Sequence, residues 1–336
     1  MKVATIRDIA TKAKVSSVTV SRVLNRDQSF SVSEETRQRV LAIAEELNYK
    51  TPRERKGKNT IAVSNDASIG TIIFLTEQQE EGDVYFSSIR EGIEKECIAA
   101  GITTTKVLRL SQYGNPDLVI NDVDGAIVIG GNLDNITPII HQVDHLVFVD
   151  YSPDYETYDS VVVDFERATK LALDHLIKLG HKEIGYMGGR QSYGKDERHH
   201  YYERIMKEHG LFDPKHIYIG DWYTTAGYNT MQQMIAKGSL PTAFFFGSDS
   251  LAIGALRALQ EEGIRVPENM AVVSFNDIPM SAYVNPPLTT VKVQSEMMGK
   301  MAVKLLLDQI NGREIPVQVT IPEKLIIRES CGFHLS

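Results

Sequence analysis

Between Ile6 and Leu47 apolar positions recur at helical spacing in three short runs, and beyond Gly70 the pattern becomes a strand-and-helix alternation lasting almost to the end of the chain. In the first run Ile6, Ile9, Ala10 and Ala13 share one face of a helix predicted over 6–13, with Thr5 placed to cap it. Lys14 and Val15 predict a tight break. Ser16 can then accept from the open amides of a second helix, 17–24, which turns Val20, Val23 and Leu24 inward and Ser17, Val18, Ser21 and Arg22 outward. A polar loop over 25–32 leads to Ser33, a predicted cap for a third helix with Glu34 and Glu35 in its first turn, where the helix dipole favours anions. Val40, Leu41, Ala44 and Leu47 are expected to close this small core.

Two short helices joined by so brief a turn suit a helix-turn-helix, whose second helix enters the major groove of DNA. On that reading Arg22 is the strongest base reader, because its guanidinium can bond guanine O6 and N7 together. Ser17 and Val18 touch neighbouring bases, while Thr5, Ser16, Thr19, Ser21 and Asn25 contact the duplex around them and fix register on phosphates. The alternative is an ordinary three-helix cap with a solvated arginine.

From 48 to 69 the hydrophobic period stops, and Thr51, Pro52 and the run Arg53-Glu54-Arg55-Lys56-Gly57-Lys58 predict a polar, basic linker. It is either a solvated tether or a phosphate and minor-groove contact through Arg53 and Arg55 with their lysine neighbours. Beyond it, predicted strands at 71–75, 103–108, 125–129 and 146–150 alternate with helices at 86–100 and 136–142, making a first lobe. A second lobe follows the same rhythm, with strands at 161–163, 183–187, 217–219, 243–246 and 270–275 and helices at 165–179, 196–210, 226–237 and 250–262. Repeated units of this kind imply an α/β protein of two doubly wound parallel-sheet lobes behind the three-helix head. A last helix, 295–309, and strand, 324–328, add to these lobes, so the chain is expected to cross between them more than once and form a hinge. The division expected is a head at 1–50, a linker at 51–69 and a two-lobed body at 70–330. Ligands of such sheets sit beyond the strand C-termini, which here carry Asp150, Gly188-Gly189, Ser248-Asp249 and Asn276-Asp277.

Charge sharpens this picture. Residues 1–58 hold 13 Lys and Arg against 7 Asp and Glu, and the remainder holds 23 against 37, so the chain's net −8 hides a basic end. A positive head attracts phosphate and a negative body does not, so salt-sensitive DNA binding is expected from the head alone. No transmembrane run or apolar leader is apparent, which predicts a cytoplasmic protein. Cys97 and Cys331 lie far apart without metal spacing and read as reduced structural thiols. No metal site and no cofactor are expected.

Ile6-Arg7-Asp8-Ile9-Ala10, Val15-Ser16-Ser17-Val18-Thr19-Val20-Ser21-Arg22-Val23-Leu24-Asn25, Ser33-Glu34-Glu35-Thr36-Arg37 and Leu47-Asn48-Tyr49 together resemble the reader of the lactose/galactose repressor family of bacterial transcription regulators. The likeness continues in the body through Ser248-Asp249-Ser250-Leu251-Ala252-Ile253-Gly254 and Pro287-Leu288-Thr289-Thr290-Val291, so nearly the whole chain is covered. Asn276-Asp277-Ile278-Pro279 and Ser295-Glu296-Met297-Met298-Gly299 are most similar to the branch that includes the repressor of the evolved β-galactosidase operon, which implies a galactoside-utilisation target.

The resemblance implies a homodimer on a palindromic operator, each body shaped like a periplasmic sugar-binding protein with a sugar effector between its lobes. Carried over by motif, Arg198 bonds effector hydroxyls, Trp222 stacks on an apolar sugar face, and Asp150, Ser248 and Asn276 accept or donate around the ring. Asp249 and Asp277 are weaker candidates. Local alternatives stand beside these roles: Asp249 caps the helix beginning near Ser250, Asp277 holds a loop, Trp222 is core, and Arg198 forms a surface ion pair with Asp196 or Glu197. Two features depart from the family. Lys50-Thr51-Pro52 runs into charge where a small hinge helix is usual, and Asn276 stands where Asp is frequent. Past Arg328 there is no leucine heptad, which favours a dimer over a tetramer.

An enzyme is the weaker rival, since the chain has no G-x-x-x-x-G-K, G-x-G-x-x-G or G-x-S-x-G motif. A sugar-binding protein without DNA function leaves the basic head unexplained. A regulator whose effector is a corepressor fits the same residues.

Overall fold

Capped short helices make the N-terminal unit. In this computed structural model, which describes residues 6–24, 32–46, 68–73, 84–102, 104–109, 123–130, 142–190, 196–238 and 240–332, the chain divides into two compact units, Met1–Ala62 and Val63–Ser336. Helices α1 (Ile6–Ala13), α2 (Ser17–Leu24) and α3 (Glu34–Glu46) form the first. The Ser16 hydroxyl accepts from the Thr19 amide at 3.0 Å and the Ser33 hydroxyl from the Thr36 amide at 3.3 Å, so two of the three predicted caps are in place, and Thr5, the third, lies outside the described residues. Between α1 and α2 the backbone reverses through Lys14 at φ 54°, left-handed for an L-residue, and Val15 N–H closes back on the Ala10 carbonyl at 3.1 Å. Ile9, Ala10, Ala13, Val20, Val23, Val40 and Ala44 are buried together, with Val15, Val32 and Ile43 packed on them. Leu41, expected in this core, is 45% exposed. On a helix whose inward stripe is Val40, Ile43 and Ala44, residue 41 is turned about 100° away from residue 40.

The second unit contains two six-stranded sheets. The first lobe is built from β1 (Ser68–Ile73), α4 (Val84–Ala99), β2 (Thr104–Arg109), β3 (Gly125–Ile129), β4 (Leu146–Val149) and β5 (Asp159–Val162), the last expected to open the second lobe but paired in parallel with β4 in the first. The second takes α5 (Phe165–Lys178), β6 (Ile184–Gly189), α6 (Glu197–Glu208), β7 (Ile217–Gly220), α7 (Thr224–Lys237), β8 (Ala243–Phe246), α8 (Asp249–Glu261), β9 (Ala271–Asn276) and β10 (Thr289–Lys292). The chain then returns with α9 (Ser295–Ile310) and β11 (Gln318–Thr320) to the first lobe, and ends with β12 (Lys324–Ile326) in the second. Strand orders are β11-β5-β4-β3-β1-β2 and β12-β10-β9-β8-β6-β7. Pairing is parallel except between β12 and β10, an antiparallel edge on a sheet read as purely parallel. The run Ala243-Phe244-Phe245-Phe246 is buried along its whole length, as helices covering both faces of a parallel sheet demand.

Three crossings therefore join the lobes, at residues 163–164, 293–294 and 321–323. The buried Glu323 of the third crossing accepts from the Asp164 amide of the first at 2.8 Å, tying two of the connections together. Strand β1 starts at Ser68 and buries Ile69 completely, so it takes up the last two residues of the stretch read as linker. Strands β10 and β11 were not among the predicted elements. The helix expected at 136–142 lies, apart from its last residue, outside the described residues, and Gln142 is in a turn.

Each lobe closes on a pair of helices crossing at glycine. A Cβ on Gly92 of α4 would lie 2.1 Å from the Glu296 carbonyl oxygen, and one on Gly299 of α9 2.1 Å from that of Ile89. In the other lobe a Cβ on Gly227 of α7 meets the Leu251 oxygen at 2.1 Å, and one on Gly254 of α8 the Thr224 oxygen at 1.9 Å. Both crossings admit hydrogen only.

Candidate functional site

Helix α2 carries the proposed DNA readers. Backbone positions 17, 18, 19, 21 and 22 all lie on it, and the Arg22 side chain is exposed. Ser16 and Thr19 bond each other, hydroxyl to hydroxyl, at 2.9 Å while Ser16 caps the helix, so these two polar groups also hold the helix start. Thr5, Asn25, Arg53 and Arg55 fall outside the described residues.

In the body, parallel strands with short loops bring their C-terminal ends to a common level, and the five effector candidates all come from there or from the elements that follow. Asp150 follows β4, Asn276 ends β9, Ser248 follows β8, Trp222 follows β7, and Arg198 stands in the first turn of α6, the helix after β6. Asp150, Asn276 and Asp277 have φ of 80°, 111° and 57°, and with Lys14 they are the non-glycine residues of positive φ among the described residues. Backbone strain of this kind concentrates where side chains are held for function.

Arg198 is the centre of the arrangement. Its Nε and Nη2 donate to the two Asp196 carboxylate oxygens at 2.8 and 2.7 Å, and Nη1 donates to the Gly247 carbonyl at 3.0 Å. The guanidinium lies 4.6 Å from the Trp222 ring centroid, 5.1 Å from that of Phe165 and 5.3 Å from that of Phe275. Its side chain is only 13% exposed and that of Asp196 3%. The pair with Asp196 read as a surface contact therefore exists, but it is buried. Burial works against the arginine charge, and the adjoining Asp196 carboxylate more than offsets this, holding the guanidinium pKa above its ordinary value. Asp196 also caps α6 by accepting from the Arg198 amide at 3.0 Å, and the buried Tyr186 hydroxyl approaches it at 3.4 Å.

Trp222 is half-buried against the core of the second lobe. A Cβ on Gly189 would sit 2.3 Å from its ring, so the glycine at the end of β6 is what lets the indole lie against the backbone. Its Nε1 donates to the Arg190 carbonyl at 3.2 Å. The ring thus already positions Arg198.

In the first lobe Asp150 accepts from the Tyr85 hydroxyl at 2.6 Å. Burial pushes the Asp150 pKa up, with the Tyr85 bond and the Arg198 charge pulling the other way, so the two lobes feel each other's charges here. Asn276 is 7% exposed.

The remaining acidic candidates are accounted for locally. Ser248 caps α8, its hydroxyl accepting from the Leu251 amide at 3.3 Å, so the cap expected of Asp249 belongs to its neighbour. Asp249 is instead fully buried, accepting from the Ser274 hydroxyl, from Thr290 Oγ1 at 2.7 Å and from the Ile278 amide at 2.8 Å. Burial lifts its pKa to about 6 against those three donors. Asp277 accepts from Arg328 Nη2 at 2.7 Å and faces Lys292 Nζ at 3.4 Å, which is the loop-holding alternative.

Sequence reasoning missed Tyr85, Phe165 and Phe275 as neighbours of the site, and named Asp196 only as a surface partner of Arg198. The Asp-x-Arg spacing at the start of a helix was a usable signal for Asp196, since a cap and an arginine two residues later can share one carboxylate. Nothing local points from Tyr85 to Asp150, 65 residues on.

Known proteins share the architecture of the head and of the body. Residues 5–52 match the family model for bacterial regulatory proteins of the lacI family, and residues 173–331 match a periplasmic binding protein-like domain. The chain is 46% identical to the transcriptional repressor MelR of Bacillus subtilis, over 97% of each chain. It is 36% identical to the regulator GalR of Streptococcus thermophilus, over 97% of this chain and 99% of that one. Among solved structures, a lac repressor dimer bound to operator and the anti-inducer ONPF superposes with a TM-score of 0.70 at 26% identity, covering 98% of this chain and 99% of that one. The regulator CelR in complex with cellobiose also gives 0.70, at 25% identity over 97% and 99%. With a matching reader, a matching two-lobed body and full-length relatives that are repressors, this chain is a DNA-binding transcriptional repressor and not an enzyme, and it belongs to the lacI family of bacterial regulatory proteins.

Proposed function

We propose that the unliganded dimer holds two basic heads on a palindromic operator and represses galactoside-utilisation genes, and that a galactoside bound between the lobes releases it. The observation that carries this reading is the Arg198 constellation at the strand ends, with Asp150 supplied by the other lobe. Its support from relatives is the shared architecture of MelR and GalR, and of GanR of Bacillus subtilis, 34% identical over 98% of this chain and all of that one. The repressor acts in the cytoplasm, where its operator is; no described helix is long and apolar enough to cross a membrane.

In this mechanism Arg22 reads a guanine, Ser17 and Val18 touch its neighbours, and Thr5, Ser16, Thr19, Ser21, Asn25, Arg53 and Arg55 hold the backbone. Arg198 gives its two remaining N–H groups to ring hydroxyls, Trp222 borders the apolar sugar face, and Asp150, Ser248 and Asn276 complete the ring of donors and acceptors. Closure about the three crossings then shifts the first lobes and spoils the spacing of the heads. A coupling of about 1–3 kcal/mol suffices, and by linkage operator weakens sugar by the same factor.

Operator titration by fluorescence anisotropy, with and without a panel of galactosides, tests this. Weaker operator binding with a galactoside is expected; tighter binding makes the sugar a corepressor, and no change with any sugar removes the effector claim. Separately, Arg22→Ala should cost roughly 1–3 kcal/mol on operator and little on random DNA. Equal loss on both would deny Arg22 a base-reading role.

A further inference from the structure

We infer that Glu323, on the third crossing, is the positioning residue that fixes the resting angle between the lobes and so couples the effector cleft to the first lobe. Its consequence on DNA rests on the effector reading above, whereas the tie itself rests on local geometry.

Chain direction explains why one side chain can do this. Strands β5 and β11 run parallel in the first lobe, with Val161 opposite Val319 and Val162 opposite Thr320. Past them the two segments separate, the first becoming α5 and the third becoming β12 at the edge of the second sheet. Where they part, Ile321 N–H reaches the Val162 carbonyl at 3.3 Å and Asp164 N–H reaches Glu323 Oε1 at 2.8 Å. The Glu323 side chain is fully buried, so this charge-assisted bond is little screened by solvent. Two of the three crossings are thereby made to bend together. Tying them removes the angles that either segment would take alone.

The second carboxylate oxygen sets Glu323 apart from an ordinary stabilising contact. Oε2 is buried without a hydrogen-bond partner among the described residues, and Arg167 Nη1 stands 3.8 Å away, too far to donate. Burial raises the Glu323 pKa, while the Asp164 amide and Arg167 pull it down. An unmatched buried carboxylate oxygen is destabilising, so the tie is kept against a cost that packing alone does not require. A shift of about 1 Å between α5 and the third crossing brings Arg167 into donor range, which gives the carboxylate a second arrangement at another lobe angle.

The tie also adjoins the effector site. Phe165 follows Asp164 directly, and its ring lies 5.1 Å from the Arg198 guanidinium and stacks on Phe275 with centroids 6.0 Å apart. Movement of Arg198 or of these rings is therefore felt one residue away, at the tied amide.

The test uses the full-length protein with one spin label on each lobe, at Glu156→Cys and Lys237→Cys, both exposed positions; Cys97 and Cys331 are buried. Labelled chains are diluted with unlabelled ones, so that electron–electron dipolar spectroscopy reads distances within one chain. Without sugar, Glu323→Ala should broaden or displace the wild-type distance distribution, and Glu323→Gln, which keeps an acceptor for the Asp164 amide, should restore it. A wild-type distribution in Glu323→Ala, even with a lowered melting temperature, makes the residue merely structural and overturns the inference. Failure of Glu323→Gln to restore the distribution overturns it too. Should the alanine variant not fold, Glu323→Asp, one methylene short of the amide, is read in its place.

Operator titrations with melibiose, lactose and galactose supply the second readout. In Glu323→Ala the sugar-induced change in operator Kd should fall roughly five-fold; an undiminished change overturns the inference. If the wild-type protein answers to none of these sugars, the effector reading fails, and the sugar-free distances still decide the tie.

Discussion

The two lobes of the body reach the same packing solution from opposite chain topologies. In the second lobe the helices that cross at glycine, α7 and α8, are neighbours in sequence, and Gly227 and Gly254 belong to one continuous stretch. In the first, α4 meets α9, which arrives only after the whole second lobe has been traversed, so Gly92 packs against a helix carrying Gly299. Backbone-to-backbone contact is thus a property of the layer being built, while chain order decides how much else must fold first. The first lobe cannot close without the return of α9. It also contributes the sparser half of the site, Asp150 with Tyr85, whereas the second supplies the aromatic wall and the Arg198–Asp196 pair.

The sharpest way to break this comparison is to fill the two crossings. Gly254→Ala and Gly299→Ala each place a methyl about 2 Å from a carbonyl oxygen on the facing helix, and each should cost roughly 3 kcal/mol, read from urea denaturation. Because α9 links both lobes, Gly299→Ala should keep a single transition. Two separated transitions would show that the lobes fold independently and that the topological argument is wrong.

Next in size is Asp249→Ala in the second lobe, which strands two hydroxyls and an amide in the core and should cost roughly 2–3 kcal/mol. Its pH dependence has a definite sign. With a folded pKa of about 6 against an ordinary 3.8, the native state binds the proton more tightly, so this residue's contribution falls as pH rises from about 4 to about 6 and is flat above. Asp249→Asn, measured by thermal unfolding across that range, should remove this slope; an unaltered slope would place its origin elsewhere.

The smallest effect lies in the head. Lys14 occupies a left-handed turn at φ 54°, so Lys14→Gly should stabilise the N-terminal unit by about 1 kcal/mol, seen as slower amide exchange in α1 and α2. Faster exchange would mean that the lysine side chain contributes more than the backbone conformation costs.

Much of this molecule was legible because much of it is local. Caps at Ser16 and Ser33, the break at Lys14, the order of strands and helices and the basic end are written in residues a few positions apart, and short-range sterics and hydrogen bonding act at that distance. Leu41 shows the limit even there, since the five apolar residues from Val40 to Ala44 cannot all face inward on one helix. What only the tertiary structure decided lies at long separation: the lobe that α9 joins, the burial of the Arg198–Asp196 pair under three rings, the cap passing to Ser248 while Asp249 gathers donors from β9 and β10, and Tyr85 reaching Asp150. Those contacts form only once the sheets have stacked their strand ends together, and no periodicity along the chain encodes which distant residue will arrive there.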